Sequence, residues 1–407
     1  MTNFRKSFPI LSRQINGNPM VFFDNAATSQ KPQAVIAAVD DFYTRHNANI
    51  HRGLNPLAEE ATALYESARE TLRIFINAKY RQEIIFTSGA TASVNLIAQT
   101  WGRKNLCAGD RVVLSIIEHH ANFVPWLQLR DELGIHLDII NLDSQGRLDL
   151  VHAQKLLKQR RVKLLAVSLG SNVLGNVEIN RMKNLRAQAR QRGIVVLVDA
   201  AQAVAHARLN VQKLNCDFLV FSGHKMYGLT GTGVLYGRKD LLDNMPAWQG
   251  GGGMIKWVSA VDFETDELPY KFEAGTPNIS GVIGLAVAVN FINTVGFDTI
   301  IDAEKKLIKY FLAQTKKYSW LALHGPHSPV DRLAVFALTV NGVHAHDVAD
   351  ILGENGIIVR AGHHCAQPLH DYLRTQATLR ASLNFYNTTK EIDLFFQKLS
   401  QIHQQFN

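Results

Sequence analysis

Four groups of residues in this 407-residue chain are of types and spacings that could do chemistry together. The first is Asp199, which follows the apolar run Ile194-Val-Val-Leu-Val198. Ligands of open α/β sheets gather beyond the carboxyl ends of the strands, and a carboxylate buried there needs a cationic partner. Taken alone, Asp199 could as well cap a loop or a helix. The second group is Ser222-Gly-His-Lys225, directly after the run Phe218-Leu-Val-Phe221. An ammonium at the edge of a buried strand is costly to desolvate. That cost lowers its pKa and makes it an amine nucleophile. An isolated lysine after a strand is more usually a surface residue. The third is Thr87-Ser-Gly-Ala-Thr-Ala-Ser93, between a strand-like run and a helical pattern over residues 94–101. Small hydroxyl residues and a glycine at a helix start offer free N–H groups to an anion, or simply cap the helix. The fourth is Arg360-Ala-Gly-His-His-Cys-Ala-Gln-Pro368, where imidazoles flank Cys365 and could favour its thiolate as a nucleophile. A rival reading makes His363, His364, Cys365 and His370 metal ligands. Adjacent histidines rarely share one ion, and the spacing matches no common zinc pattern. Glu118-His119-His120 is open in the same way: metal ligands, a satisfied loop, or an imidazole stacked on a cofactor ring.

The first three groups together supply what pyridoxal phosphate (PLP) requires. These are a phosphate cradle, a lysine amine to hold the cofactor aldehyde, and an Asp to keep the pyridine nitrogen protonated.

Such residues need a scaffold. Seven short apolar runs begin near residues 83, 111, 137, 163, 194, 218 and 233, each followed by a Gly/Ser/Asn/His-rich break, most with a helical pattern beyond it. Their β-branched composition predicts a buried, mainly parallel sheet flanked by helices. The last two runs are close enough to form an antiparallel pair. The final third predicts a smaller α+β body: strands at 333–340 and 356–360, a helix at 344–353, and a capping box at Thr388 and Glu391. That box opens a helix with Ile392, Phe395, Phe396, Leu399 and Ile402 on one face. An apolar helix at 281–295 connects the two, and Gly250 to Gly253 marks a break. The expected division is 21–285 for the large domain, with 1–20 and 286–407 forming the small one that carries the Cys365 loop.

Bulk properties narrow the function. The chain is 46% hydrophobic and 19% charged, which is globular. Its net charge of +8 is dispersed, and the basic stretches at 158–161 and 181–192 read as solvated helix faces, so no nucleic-acid partner is expected. Three distant cysteines, Cys107, Cys216 and Cys365, fit a reducing compartment. With no apolar leader and no spanning run, the expectation is a cytoplasmic protein without a membrane partner.

The motifs resemble those of the type II cysteine desulfurases and selenocysteine lyases (the SufS and CsdA type) of aminotransferase class V, which have PLP fold type I. They run from Phe23-Asp-Asn-Ala-Ala-Thr28 through Ser171-Asn-Val-Leu-Gly175, Asp199-Ala-Ala-Gln202 and Glu273-Ala-Gly-Thr-Pro-Asn278 to Thr378-Leu-Arg-Ala-Ser382. The resemblance implies that Lys225 binds the cofactor covalently, Asp199 meets the ring nitrogen, Gln202 lies near the ring oxygen and His119 stacks on the ring. It implies phosphate contacts from Ala90, Thr91, Ser222 and His224, and from Thr276 of a second subunit. Asn172, Arg380 and Arg360 would hold substrate, Ala27 and His51 would line the site, and Cys365 would carry a persulfide. Three positions depart from the family pattern. Ala90 and Ala92 replace a hydroxyl and a carboxylate of the glycine loop, and Leu229 replaces a proline.

The expected reaction moves sulfur from L-cysteine to Cys365 and leaves alanine. A sulfur-acceptor protein of the SufE/CsdE type then collects it, and the enzyme is a homodimer. The alternatives are a selenocysteine lyase acting on L-selenocysteine, another class V aminotransferase-type activity, a non-enzymatic scaffold for sulfur-transfer partners, and a metalloprotein.

Overall fold

The structure is a computed structural model that describes residues 4–406. Seven strands form the main sheet: β1 (Ile84–Thr87), β2 (Arg111–Ser115), β3 (His136–Ile140), β4 (Val162–Ser168), β5 (Val195–Asp199), β6 (Phe218–Ser222) and β7 (Gly233–Gly237). Their order is β1-β7-β6-β5-β4-β2-β3. β7 is antiparallel to both neighbours, and every other pairing is parallel. The strands are apolar because helices cover both faces. β6 is buried at every position, and β4 at every position but Lys163.

The strands that run opposite to β7 share one carboxyl edge. Thr87, Ser115, Ser168, Asp199 and Ser222 end β1, β2, β4, β5 and β6. A row of hydroxyl and carboxylate groups therefore closes an otherwise greasy sheet. Helix α1 (Ala90–Ile97) starts at that edge, just after Gly89. The crossing of Gly89 over β7 is tight. A Cβ on Gly233 would sit 2.4 Å from the Gly89 Cα, so no side chain fits there.

Helix α2 (Ile279–Val295) is apolar on all sides and mostly buried, as a core helix must be. At Gly296, whose φ is 83°, the chain bends by 75° into α3 (Phe297–Thr315). Among the described residues no single helix is long and apolar enough to cross a membrane.

Beyond the bend lies a four-stranded antiparallel sheet of β8 (Leu321–His324), β9 (Val335–Val340), β10 (Arg360–Gly362) and β11 (Thr378–Ser382), in the order β8-β9-β11-β10. Helix α4 (Ala345–Glu354) packs on it, and α5 (Thr389–Phe406) packs against α3 and α4. The capping box at the start of α5 is formed. Thr388 N donates to Glu391 Oε2 at 2.7 Å, and Glu391 N donates to Thr388 Oγ1 at 3.2 Å. All five residues of the expected apolar face are buried. Phe311 of α3 stacks on Phe336 of β9, with ring centroids 3.9 Å apart.

Two details differ from the sequence expectation. The strand expected at 356–360 is two strands in two sheets. Ile357–Ile358 pairs in parallel with Val21–Phe22, and Arg360 then pairs with Arg380 of β11. The N-terminal segment supplies a partner that no local pattern announces. The basic stretch 181–192 is not wholly a solvated face either. Arg186 is buried, and its guanidinium donates to the carbonyls of Leu214 and Ile179, both at 2.8 Å.

Candidate active site

The polar edge of the main sheet faces β10 and β11 across a cavity of about 220 Å³. Of the residues to which the resemblance gives a role in the site, all line it except Cys365, Thr276 and His51; of the histidines and the glutamate weighed as metal ligands, only His119 and His364 do.

The floor is charged. Asp199 is buried at the end of β5, and Oδ1 accepts a hydrogen bond from Ala201 N at 2.8 Å. Burial raises its pKa, while the Ala201 N–H and the Lys225 charge pull it back. Lys225 ends a short 3-10 turn, Gly223–Lys225, that follows β6 directly. Burial lowers its pKa to about 8, against the opposing pull of Asp199. The guanidiniums of Arg380 and Arg360 push it the same way as burial. An amine with that pKa can hold or release a proton near neutrality, which is the range in which a base works.

The glycine loop is knit to β6. Ala90 N donates to Ser222 Oγ at 2.8 Å, so the first amide of α1 is already taken. Thr91 is exposed on the cavity wall. Gln202 is anchored by its Nε2, which donates to Ala26 O at 2.8 Å. His224 is held neutral: burial lowers its pKa to about 4, aided by Lys225 and Lys31. Its carbonyl oxygen accepts from Ser29 N, Thr28 Oγ1, Ser29 Oγ and Lys31 Nζ, at 3.0 to 3.1 Å.

His119 caps its own turn. Nδ1 accepts from Ala121 N at 3.1 Å, so the ring hydrogen sits on Nε2. Burial, then the Lys225 charge, lowers its pKa to about 3. Its neighbour Glu118 is buried and takes four donors: the Ser115 and Ser168 hydroxyls, the Ser168 amide at 2.9 Å and Asn122 Nδ2 at 2.7 Å. Among the described residues no cluster of three or more His, Cys, Asp or Glu could hold a metal. Glu118 joins β2 to β4 beneath His119, a role that its position shortly after an apolar run could have suggested.

The opposite wall is cationic. Arg380 Nη2 donates to Asp24 Oδ1 at 2.7 Å, and Nη1 donates to Asn172 O at 3.1 Å. Asn172 Nδ2 donates to His364 O at 2.7 Å. Asp24, within the first motif, was not assigned a role from sequence. It neutralises and orients Arg380. Cys365 lies at the rim, partly exposed. Its carbonyl accepts from His120 N at 2.7 Å, and Arg360 Nη2 is 3.8 Å from Sγ. Both His364 (φ 53°) and Cys365 (φ 57°) occupy the left-handed region, a strained pair that turns the loop over the cavity.

His51 and Thr276 are not brought to this cavity within the chain. Both line a second cavity of about 540 Å³, where the His51 ring lies 4.9 Å from that of Tyr270.

A mainly parallel sheet, a lysine at a strand end, a buried aspartate and a glycine loop at a helix start define a class of protein: a PLP-type transferase scaffold. The family model for aminotransferase class V matches residues 21–395. A cysteine desulfurase of Serratia proteamaculans is 44% identical over 401 residues, covering 98% of this chain and 97% of that protein. The cysteine desulfurase of Thermococcus onnurineus NA1 superposes with a TM-score of 0.92 at 39% identity, over 98% of this chain and 97% of that one. The cysteine desulfurase CsdA of Escherichia coli, in an S-sulfonic acid form, gives 0.89 at 37%, over 99% and 98%. The chain belongs to the class V aminotransferase family.

Proposed function

We propose that this chain is a PLP-dependent cysteine desulfurase, taking sulfur from L-cysteine and leaving L-alanine and a persulfide on Cys365. The observation that carries the reading is one cavity with an amine and a buried carboxylate on its floor, paired guanidiniums on its wall and a thiol at its rim. Relatives called cysteine desulfurases, alike over almost their whole length, support it.

The residues fit the cofactor. A buried carboxylate beside an amine of lowered pKa is the donor set that a protonated pyridine and an aldehyde need. Lys225 would hold PLP covalently, Asp199 would meet its ring nitrogen, and His119 would cover its ring. Ser222, His224, Thr91 and the α1 amides after Ala90 would receive its phosphate. When bound, PLP supplies an electron sink for bonds broken at the substrate Cα. The substrate amine displaces Lys225 Nζ, and the freed Nζ takes the Cα proton. Arg380 and Asn172 hold the substrate carboxylate, because a guanidinium fork suits two oxygens. Arg360 Nη2 faces the sulfur of Cys365, which attacks as its thiolate. That thiolate bonds to the substrate sulfur as the carbon–sulfur bond breaks. The carbon keeps the electron pair and gains a proton, and alanine leaves.

A sulfur-acceptor protein of the SufE/CsdE type would discharge the persulfide, and a homodimer would bring Thr276 and His51 of one subunit to the other's cavity. Three unpaired cysteines suit a reducing cytoplasm. Cys365→Ala tests the reading. It should keep the cofactor absorbance yet form no sulfide from cysteine, and undiminished sulfide release would refute the nucleophile.

A further inference from the structure

Two polar atoms of the residues lining the cavity are buried without a hydrogen-bond partner: Nε of Arg380 and Nδ1 of His364. The first is a donor. The character of the second follows from a hydrogen-bond chain that ends on a carbonyl. Ala366 O can only accept, so His370 Nδ1 carries a hydrogen and donates to it at 3.0 Å. His370 Nε2 must then accept, and it does so from Thr378 Oγ1 at 3.1 Å. That hydroxyl has spent its hydrogen. It accepts in turn from His364 Nε2 at 2.9 Å, which also reaches Thr378 O at 3.1 Å. His364 is thus neutral with its hydrogen on Nε2, and Nδ1 is left as a lone pair. Burial, then the Arg380 guanidinium, keeps the ring from protonating.

A buried acceptor with nothing to accept is unstable as it stands. Together with the orphan N–H of Arg380 on the same cavity, it calls for a ligand that carries both an acceptor oxygen and a weak X–H donor. Cysteine has both, a carboxylate and a thiol. His364 also immediately precedes Cys365, where the substrate sulfur must arrive. Resting on the reaction proposed above, we infer that His364 Nδ1 accepts a hydrogen bond from the thiol of the substrate cysteine, setting its sulfur beside Cys365 and favouring a protonated thiol over an ionised selenol. A free thiol titrates near ~8.5 and is mostly protonated at pH 7. A selenol is ionised there and has no hydrogen to give, so His364 helps cysteine and not selenocysteine.

Two variants separate this role from packing. Gln at position 364 can keep the bond to Thr378 through its distal amide but offers no acceptor near Nδ1. Asn places an amide oxygen near Nδ1 and gives up Thr378. His364→Gln should lower kcat/KM for cysteine about tenfold, the worth of one hydrogen bond, and change that for selenocysteine less than about twofold. His364→Asn should recover most of the cysteine activity. Its affinity for alanine, which lacks the thiol, should equal that of the wild type in both variants. In ¹⁵N spectra of the wild-type holoenzyme, His364 should carry its hydrogen on Nε2. Equal losses for both substrates, Asn worse than Gln, a fall in alanine affinity (which would make the amine the donor), or an Nδ1–H tautomer would each overturn the inference. A wild-type protein that makes no alanine from cysteine would instead overturn the reaction, whatever the tautomer.

Discussion

At the residue scale the site depends on groups whose charge is set by burial. Lys225 titrates at about 8 in the fold and near 10.5 when exposed. Between those values the unfolded chain binds more protons than the folded one, so stability rises with pH across that window and is lost as pH falls through 8. Lys31, also lowered to about 8 by burial, adds to the same slope. Thermal unfolding of the cofactor-free protein from pH 7 to 10.5 should show this rise, and Lys225→Met should flatten it in part. A slope unchanged in Lys225→Met would mean that the amine is solvated. Lys225 and Asp199 stood out in the sequence because each places a charge where a buried strand ends, and Cys365 because it is a thiol flanked by imidazoles in a Gly/His-rich loop. Asp24 was not legible. Its meaning is the ion pair with Arg380, 356 residues away in sequence.

At the element scale, strand ends are tied by side chains rather than by the ladder alone. Glu118 links β2, β4 and the turn carrying His119 through donors on both its oxygens. Glu118→Gln would turn an amide N–H₂ toward either the Ser168 amide or Asn122 Nδ2. One donor would then face another, at a cost of about 1–3 kcal/mol. Urea unfolding at pH 7.5 should detect that loss, and equal stability would mean that Glu118 is itself protonated there. The seven strands could be read from composition, since burial on both faces demands continuous apolar runs. The short parallel pairing of Ile357–Ile358 with Val21–Phe22 could not, because two residues carry no periodicity.

At the scale of the whole molecule, residues 21–31 stitch the two sheets together. They pair with Ile357–Ile358, exchange backbone bonds with Ser382, ion-pair with Arg380 and converge on the His224 carbonyl. The proposed dimer adds a second seam. Lys225 and Thr276 line different cavities of one chain, so a complete site would need two. Mixing Lys225→Ala with Thr276→Ala, each poorly active alone, should restore activity through mixed dimers that hold one intact site. Sulfide assays after subunit exchange would measure this, and no recovery despite exchange would count against a shared site.

By itself the sequence determined the chemistry that is local. Apolar runs ended by Asp, Lys and hydroxyl residues dictate a sheet with a polar edge, because desolvation makes each such residue expensive in the sheet interior. The tertiary structure alone decided which residues meet: Asp24 with Arg380, Glu118 with Ser168, His364 with Thr378 and His370. These pairings depend on loop closure and on register between distant strands, and no spacing along the chain encodes them.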